Sequence, residues 1–143
     1  MSNNMFLVDT SAWIMALRKD FSPQVKERID HLLKENTIIT TGMVKLEILG
    51  STKTESEFRR LKRRLDALDS VDFDAFLWEN SYDLAFQLRR KGITVPYTDI
   101  LIAACALETG TTVVHADAHL DLMASHIDVK VESFVPILGS VDT

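Results

Sequence analysis

Four acidic residues stand just after predicted strands, near the start of a predicted helix or inside a short one. They are Asp9 after the apolar run "MFLV", Glu47 in "MVKLEIL", Asp99 near the start of "PYTDILIAACALETG", and Asp117 after "TTVVHA". Each has an ordinary structural interpretation, because carboxylates are favoured at helix N-termini and on exposed helix faces. The decisive question is whether the four side chains meet.

Carboxylates that meet would have a specific chemistry. Two like charges about 4 Å apart repel each other by about 4 kcal/mol at an effective dielectric constant near 20. Such a cluster must either take up protons or bind cations. Oxygen ligands favour the hard ions Mg²⁺ and Mn²⁺ over zinc. Two such ions about 3.5–4 Å apart can activate a water molecule and stabilise the leaving oxygen of a phosphodiester.

Short apolar strands alternate with helices along the chain. Strands are predicted at 5–8, 37–40 and 111–116, with weaker candidates at 70–73 and 129–134, and helices at 10–19, 22–36, 43–49, 54–69, 74–92, 97–110 and 117–126. This alternation predicts one domain over 1–143, a three-layer α/β/α sandwich with a mostly parallel central sheet. In such sheets ligands bind outside the carboxyl ends of the strands. Asp9 and Asp117 are both expected at that edge.

Composition limits the class of protein. The 143 residues are 46% apolar and 26% charged, as expected of a globular domain. No apolar run reaches the roughly 18 residues of a membrane span, and the first residues do not resemble a signal peptide. The single cysteine, Cys105, lies in an apolar helix and is interpreted as a core residue. We therefore expect a cytoplasmic protein. The glycines form no P-loop or dinucleotide-binding motif, which argues against nucleotide binding.

Charge gives a mixed indication about nucleic acid. The formal net charge of −5 argues against a protein that coats nucleic acid through general electrostatics. The run "RRLKRR" nevertheless holds five basic side chains, either on a solvated helix face or on a surface that contacts RNA phosphates. These residues are Arg59, Arg60, Lys62, Arg63 and Arg64.

Two motifs resemble those of a known family. "LVDTSAWI" near the N-terminus and "PYTDILIAA", together with Glu47 in a short helix, are similar to the PIN-domain nucleases, and among these to the VapC-type ribonuclease toxins. The resemblance covers essentially the whole chain. It implies hydrolysis of single-stranded or loop RNA at an acidic site that binds Mg²⁺ or Mn²⁺. Carried over by motif, that site comprises Asp9, Glu47, Asp99 and Asp117, with Ser11 helping to hold the metal or its water.

The last motif departs from the family pattern. The family often has T-x-D-x-H/D-F, whereas this chain has "HADAHL", with His115 in place of Thr and Leu120 in place of Phe. Asp117 and His119 still align. Asp121 is a rival ligand, and it is either an acid in the outer shell of the site or a solvated side chain. The spacing of His115 and His119 suits some zinc sites, but no H-E-x-x-H motif accompanies it.

The resemblance also implies partners. An antitoxin would cover the acidic pocket with an Arg or Lys, docking on apolar surface of the helices at 11–19 and 54–69, and the chain is expected to form a homodimer. Two alternatives remain open at this point: a housekeeping RNA-processing nuclease without an antitoxin, and a PIN-fold binding module without activity.

Overall fold

The structure is a computed structural model that describes residues 4–17 and 22–137. Five strands form one sheet in which every paired strand is parallel to its neighbour. In chain order the elements are β1 (Phe6–Val8), α1 (Thr10–Leu17), α2 (Pro23–Lys34), β2 (Ile38–Thr41), α3 (Gly42–Gly50), α4 (Glu55–Asp66), β3 (Asp69–Val71), α5 (Ala75–Arg90), α6 (Tyr97–Thr109), β4 (Thr112–His115), α7 (Ala118–Ala124) and β5 (Lys130–Ser133).

The order of the strands explains the layers. The sheet runs β3–β2–β1–β4–β5, so the chain moves outward from β1 in one direction and later in the other. Parallel crossovers are right-handed almost without exception. The helices between β1 and β3 therefore cover one face of the sheet, and those after β3 cover the opposite face. This is the three-layer α/β/α sandwich that the sequence predicts.

The central strands β1 and β4 lie side by side at the point where the strand order reverses. Leu7 is paired with Ile39 of β2 on one side and with Val113 of β4 on the other, and all three are buried. Ligands of open α/β sheets bind outside the carboxyl ends of the strands at such a switch point. Asp9 follows β1 at this edge, and Asp117 follows β4 by two residues.

Helix α6 is buried over most of its length, which explains its apolar sequence. Every residue from Asp99 to Ala106 is buried, and the helix contacts α5, β4 and α7. Cys105 is fully buried, and burial raises the pKa of its thiol to about 11, so the group stays protonated. Its interpretation as a small core residue agrees with this burial. Gly110 ends the helix with a positive φ of 67°, a conformation that favours glycine.

Some predicted boundaries need correction. The helix predicted at 54–69 ends at Asp66, because Ala67 caps it and β3 already begins at Asp69. The strand predicted at 70–73 is accordingly Asp69–Val71. The last two residues of the helix predicted at 10–19 lie outside the described residues. In the described ranges we find no helix with the length and apolar character needed to cross a membrane.

Candidate metal centre

Asp9 is fixed at the end of β1 by its backbone and by Ser11. The Asp9 amide donates to the carbonyl of Val114 in β4, at 2.9 Å. Its Oδ2 atom accepts hydrogen bonds from the amide and the hydroxyl of Ser11, and the residue is buried. The Ser11 hydroxyl in turn accepts a bond of 2.9 Å from the amide of Ala116. Ser11 thus joins the ends of two neighbouring strands while it orients the first carboxylate.

Asp117 caps α7 and also faces the centre. Its Oδ1 atom accepts a hydrogen bond of 2.9 Å from the backbone amide of His119, as expected of a helix N-cap. The Nδ1 atom of His119 lies 3.1 Å from the same oxygen. The capping role and the place in the acidic cluster are therefore compatible, because the cap leaves Oδ2 of Asp117 outside these bonds.

Asp99 shows the clearest departure from a capping role. Pro96 stands at the N-cap of α6, and Asp99 follows in the first turn with only 6% of its surface exposed. Its Oδ2 atom is buried and has no hydrogen-bond partner among the residues that the structure describes. A buried carboxylate oxygen without a donor is costly, and it is therefore typical of sites that hold another group.

The raised pKa of Asp99 shows that the four acidic side chains lie near one another. The pKa of this carboxyl is raised to about 8, first by burial, then by hydrogen bonding with Asp117 and by the negative charges of Asp117, Asp9 and Glu47. The four side chains named in the sequence analysis thus lie close enough to interact electrostatically. In the absence of a cation, Asp99 is held largely protonated near neutral pH.

Glu47 is positioned by a contact that the sequence does not indicate. It is an exposed residue of α3, and its Oε1 atom accepts a hydrogen bond of 2.9 Å from the hydroxyl of Thr10. Thr10 is buried at the start of α1, directly after Asp9. The bond to Glu47 depends on the packing of α1 against α3, which no local motif reveals.

The donor set fits a divalent metal ion. Single donor atoms of Asp99, Asp117 and His119 all lie within 4.8 Å of one another. Carboxylate oxygen is a ligand type that Mg²⁺ and Mn²⁺ prefer, and Asp99 offers one that is buried and has no hydrogen-bond partner among the described residues. His119, which aligns with the family motif, is part of this group. Asp9 and Glu47 add negative charge from the neighbouring elements.

Asp121 lies apart from this group, in a network behind the site. Its Oδ2 atom accepts a hydrogen bond of 2.8 Å from the hydroxyl of Ser133, and its Oδ1 atom lies 3.2 Å from Nε2 of His115. His115 is fully buried, and its Nδ1 atom accepts a bond of 3.0 Å from the amide of Asp117, so its proton is on Nε2. Burial lowers the pKa of His115. This network fixes the backbone that carries Asp117.

The five basic side chains of α4 are all exposed, but not all are free of acidic partners. Arg59 pairs with Glu55, and Lys62 pairs with Asp66, each one helical turn away. Lys45 of α3 also binds Asp66. Exposed pairs of this kind contribute little to stability. For Arg59 and Lys62 these contacts favour the solvated-face interpretation, and contact with RNA remains a prediction for the whole cluster.

An apolar groove lies between α1, α2 and α4. It has a volume of about 390 Å³, and its walls include Trp13, Leu17, Ile29, Leu33 and Leu61. Lys26, Asp30 and Arg64 also line it. The groove is formed by α1 and α4, the two helices predicted to form a docking surface, together with α2.

Comparison with known proteins agrees with this fold. The family model "PIN domain" matches residues 6–125. The chain is 32% identical over 134 residues to VapC ribonuclease Mb1587 of Mycobacterium bovis. This alignment covers 91% of this chain and 99% of that protein. It is 29% identical over 140 residues to ribonuclease VapC51 of Mycobacterium tuberculosis, covering 96% and 97% of the two chains.

Solved structures show the same fold. A VapBC2 complex from Rickettsia felis, bound to a DNA fragment from its promoter, contains a chain with a TM-score of 0.74 and 22% identity, covering 91% of this chain and 98% of that one. A FitAB complex bound to IR36 DNA gives a TM-score of 0.73 and 21% identity, with 90% and 94% covered. The chain therefore belongs to the PIN-domain family and, within it, is grouped with the VapC ribonucleases.

Proposed function

We propose that this chain is a metal-dependent endoribonuclease that hydrolyses RNA phosphodiester bonds and acts as the toxin of a toxin–antitoxin pair. The observation that carries the proposal is the buried Asp99 carboxylate, with an oxygen that lacks a hydrogen-bond donor and a pKa raised by burial and by three other acids. Membership of the PIN-domain family and similarity to proteins named as ribonucleases support the same activity.

Asp9, Glu47, Asp99 and Asp117 are the proposed ligands of Mg²⁺ or Mn²⁺, with Ser11 as a supporting residue. When bound, the ion supplies Lewis-acid activation of water and stabilises the charge that develops on the leaving oxygen. The protein's own part is positioning. Ser11 holds Asp9, Thr10 holds Glu47, and the buried helix α6 holds Asp99. Each bound divalent ion also offsets part of the net charge of −5, which reduces the repulsion of RNA.

Cleavage of a structured RNA mixture tests the activity and the site together. Wild type and Asp99→Asn are compared with added Mg²⁺ or Mn²⁺ and with chelator. Asp83→Asn, an exposed carboxylate of α5, is the matched control. We expect metal-dependent cleavage by wild type and the control, and loss of cleavage in Asp99→Asn with its folding retained. Equal cleavage by wild type and Asp99→Asn would contradict the proposal.

The antitoxin is the second part of the proposal. Solved neighbours of this chain are named as VapBC and FitAB complexes, so those proteins bind a partner chain. For this chain we place the partner in the groove between α1, α2 and α4, with an Arg or Lys that reaches the carboxylates. A guanidinium can bind carboxylates through two hydrogen bonds and so compete with a metal ion.

A single substitution in the groove tests this docking surface. Leu33→Asp places a charge on its wall, and we expect weaker binding of a small protein encoded beside this chain. Leu107→Asp, at a slightly more exposed position on α6, is the control and should bind normally. Absence of any neighbouring gene for such a partner would favour the housekeeping nuclease instead.

A further inference from the structure

We propose that His119 is a nitrogen ligand of the bound ion, and that it makes the site prefer Mn²⁺ to Mg²⁺. The inference rests on the proposed function, since it concerns the same metal centre. It goes further because the acidic residues alone provide only oxygen donors, and such a donor set would not distinguish the two ions by ligand type.

The distances place the imidazole nitrogen beside two carboxylates. Nδ1 of His119 lies 3.1 Å from Oδ1 of Asp117 and 3.5 Å from Oδ2 of Asp99. Adjacent ligands of an octahedral ion with bonds of about 2.1 Å are separated by about 3 Å. In the metal-free chain this nitrogen is at hydrogen-bond distance from Asp117. The same spacing suits a direct ligand, once the nitrogen gives up that contact and binds the ion through its lone pair.

The unpartnered oxygen of Asp99 is an independent observation that points to the same position. Asp99 is more than nine-tenths buried, and its Oδ2 atom makes no hydrogen bond with the described residues, although Nδ1 of His119 is 3.5 Å away. A direct hydrogen bond between these groups would have satisfied the oxygen. A cation shared by the oxygen and the nitrogen satisfies both of them.

The backbone of α7 fixes His119 in this place. The amide of His119 donates to the same Asp117 oxygen that the ring approaches, so one carboxylate orients both the backbone and the side chain. The ring itself is about half exposed, at 50%. It therefore faces solvent on one side, where an ion can enter, and the two aspartates on the other.

The chemistry of imidazole gives the preference. Mg²⁺ is bound in proteins almost entirely through oxygen, whereas first-row transition metals accept imidazole nitrogen and bind it more strongly along the series that begins with Mn²⁺. Removing His119 is expected to weaken Mn²⁺ binding about 10-fold or more, the range found when groups that support metal ligands are removed. Mg²⁺ binding should change much less.

Pulsed electron paramagnetic resonance of the Mn²⁺-loaded chain tests the inference directly, because it detects ¹⁴N bound to Mn²⁺. We compare wild type with His119→Asn, which replaces the nitrogen donor by an amide of similar reach. The control His126→Asn alters an exposed histidine beyond α7. We expect ¹⁴N modulation in wild type and the control, and its loss in His119→Asn, with calorimetry showing the weaker Mn²⁺ binding.

The outcomes separate this inference from the proposed nuclease. Mn²⁺ bound at the site, as shown by its loss in Asp99→Asn, but without ¹⁴N modulation in wild type, would overturn the role of His119 and leave the nuclease standing. The absence of Asp99-dependent Mn²⁺ binding would also overturn the role of His119. If ¹⁴N modulation is seen but the chain cuts no RNA, the result would support His119 as a metal ligand and contradict the proposed function.

Discussion

Thr10 and Glu47 are 37 positions apart in the chain, yet the hydroxyl of Thr10 donates a 2.9 Å hydrogen bond to the Glu47 carboxylate. The bond crosses from the first turn of α1 to α3. It holds an exposed side chain that would otherwise sample several rotamers. Since Asp9 directly precedes Thr10, one short segment supplies the first carboxylate and orients the second.

Thr10→Val removes this hydrogen bond and keeps the shape of the side chain. We expect RNA cleavage to fall several-fold, because Glu47 loses its orientation, while stability changes by only about 0.5–1.5 kcal/mol, the usual net contribution of one hydrogen bond. Thr10→Ser restores the hydroxyl and should recover most of the rate. The measurement is the cleavage rate at saturating metal together with thermal unfolding. A wild-type rate in Thr10→Val would show that the bond does not matter.

Stability of the metal-free chain should depend on pH through Asp99. Burial and three neighbouring acids raise the pKa of its carboxyl from 3.8 to about 8. The folded state then binds the proton more tightly than the unfolded state does. This contribution is fully present below about pH 4 and is lost as the pH rises to about 8. Unfolding at several pH values in chelator should show this decline, and Asp99→Asn should flatten it.

The same linkage predicts how metal acts on stability. A cation favours the ionised carboxylate, so Mg²⁺ or Mn²⁺ should raise the unfolding temperature more at pH 8 than at pH 5. The comparison uses wild type with and without the ion at both pH values. An equal shift at both would indicate that the ion binds away from Asp99.

Asp121 and Asp117 should differ sharply when each is changed to Asn. Asp117 belongs to the group that can hold a metal, whereas Asp121 is hydrogen-bonded to Ser133 behind it. We expect Asp117→Asn to abolish metal binding and cleavage. Asp121→Asn should retain metal binding and lose less than about 10-fold in rate, the lower range for residues that support a ligand. Loss of metal binding in Asp121→Asn would contradict this prediction and indicate that Asp121 is itself a metal ligand.

The salt dependence of RNA binding tests the basic cluster of α4. Arg59 and Lys62 already have acidic partners, so the informative change is Arg60, Arg63 and Arg64 to Gln together. If these three contact phosphates, the slope of log affinity against log salt should decrease by about 2, given about 0.7 per phosphate on a single strand. An unchanged slope would exclude the three residues from the RNA path.

The homodimer is still a prediction, and α5 offers a surface for it. Trp78, Tyr82 and Phe86 are exposed at intervals of one helical turn. Asp74 caps the start of this helix and Arg89 and Arg90 lie at its end, so two antiparallel copies would pair opposite charges. Phe86→Asp should convert a dimer to a monomer in light scattering, and Leu33→Asp should not. A wild-type monomer would refute the prediction.

The sequence predicted where the acidic residues lie better than it predicted the hydrogen bonds that orient them. Asp9 and Asp117 could be placed because apolar β-branched runs mark strands, and parallel strands open at one edge. The bond between Thr10 and Glu47 depends on how two helices pack, and that information is not local. The bond between Asp121 and Ser133 depends on β5, a short edge strand with a weak pattern. In the sequence His115 is only an exception to a motif. The structure shows that it is fully buried and that it accepts a hydrogen bond from the amide of Asp117.

The Ser11 hydroxyl that joins Asp9 to the amide of Ala116 spans 105 positions of sequence. The ribosome makes the chain from the N-terminus, so Asp9 leaves the ribosome long before its hydrogen-bond partner in β4, Val114, is added. While β4 and α7 are still unmade, the growing polypeptide has neither Asp117 nor the strand against which Asp9 is held. A copy that stops before β4 and α7 therefore carries no assembled centre, and any cutting of RNA must wait until both elements have been made.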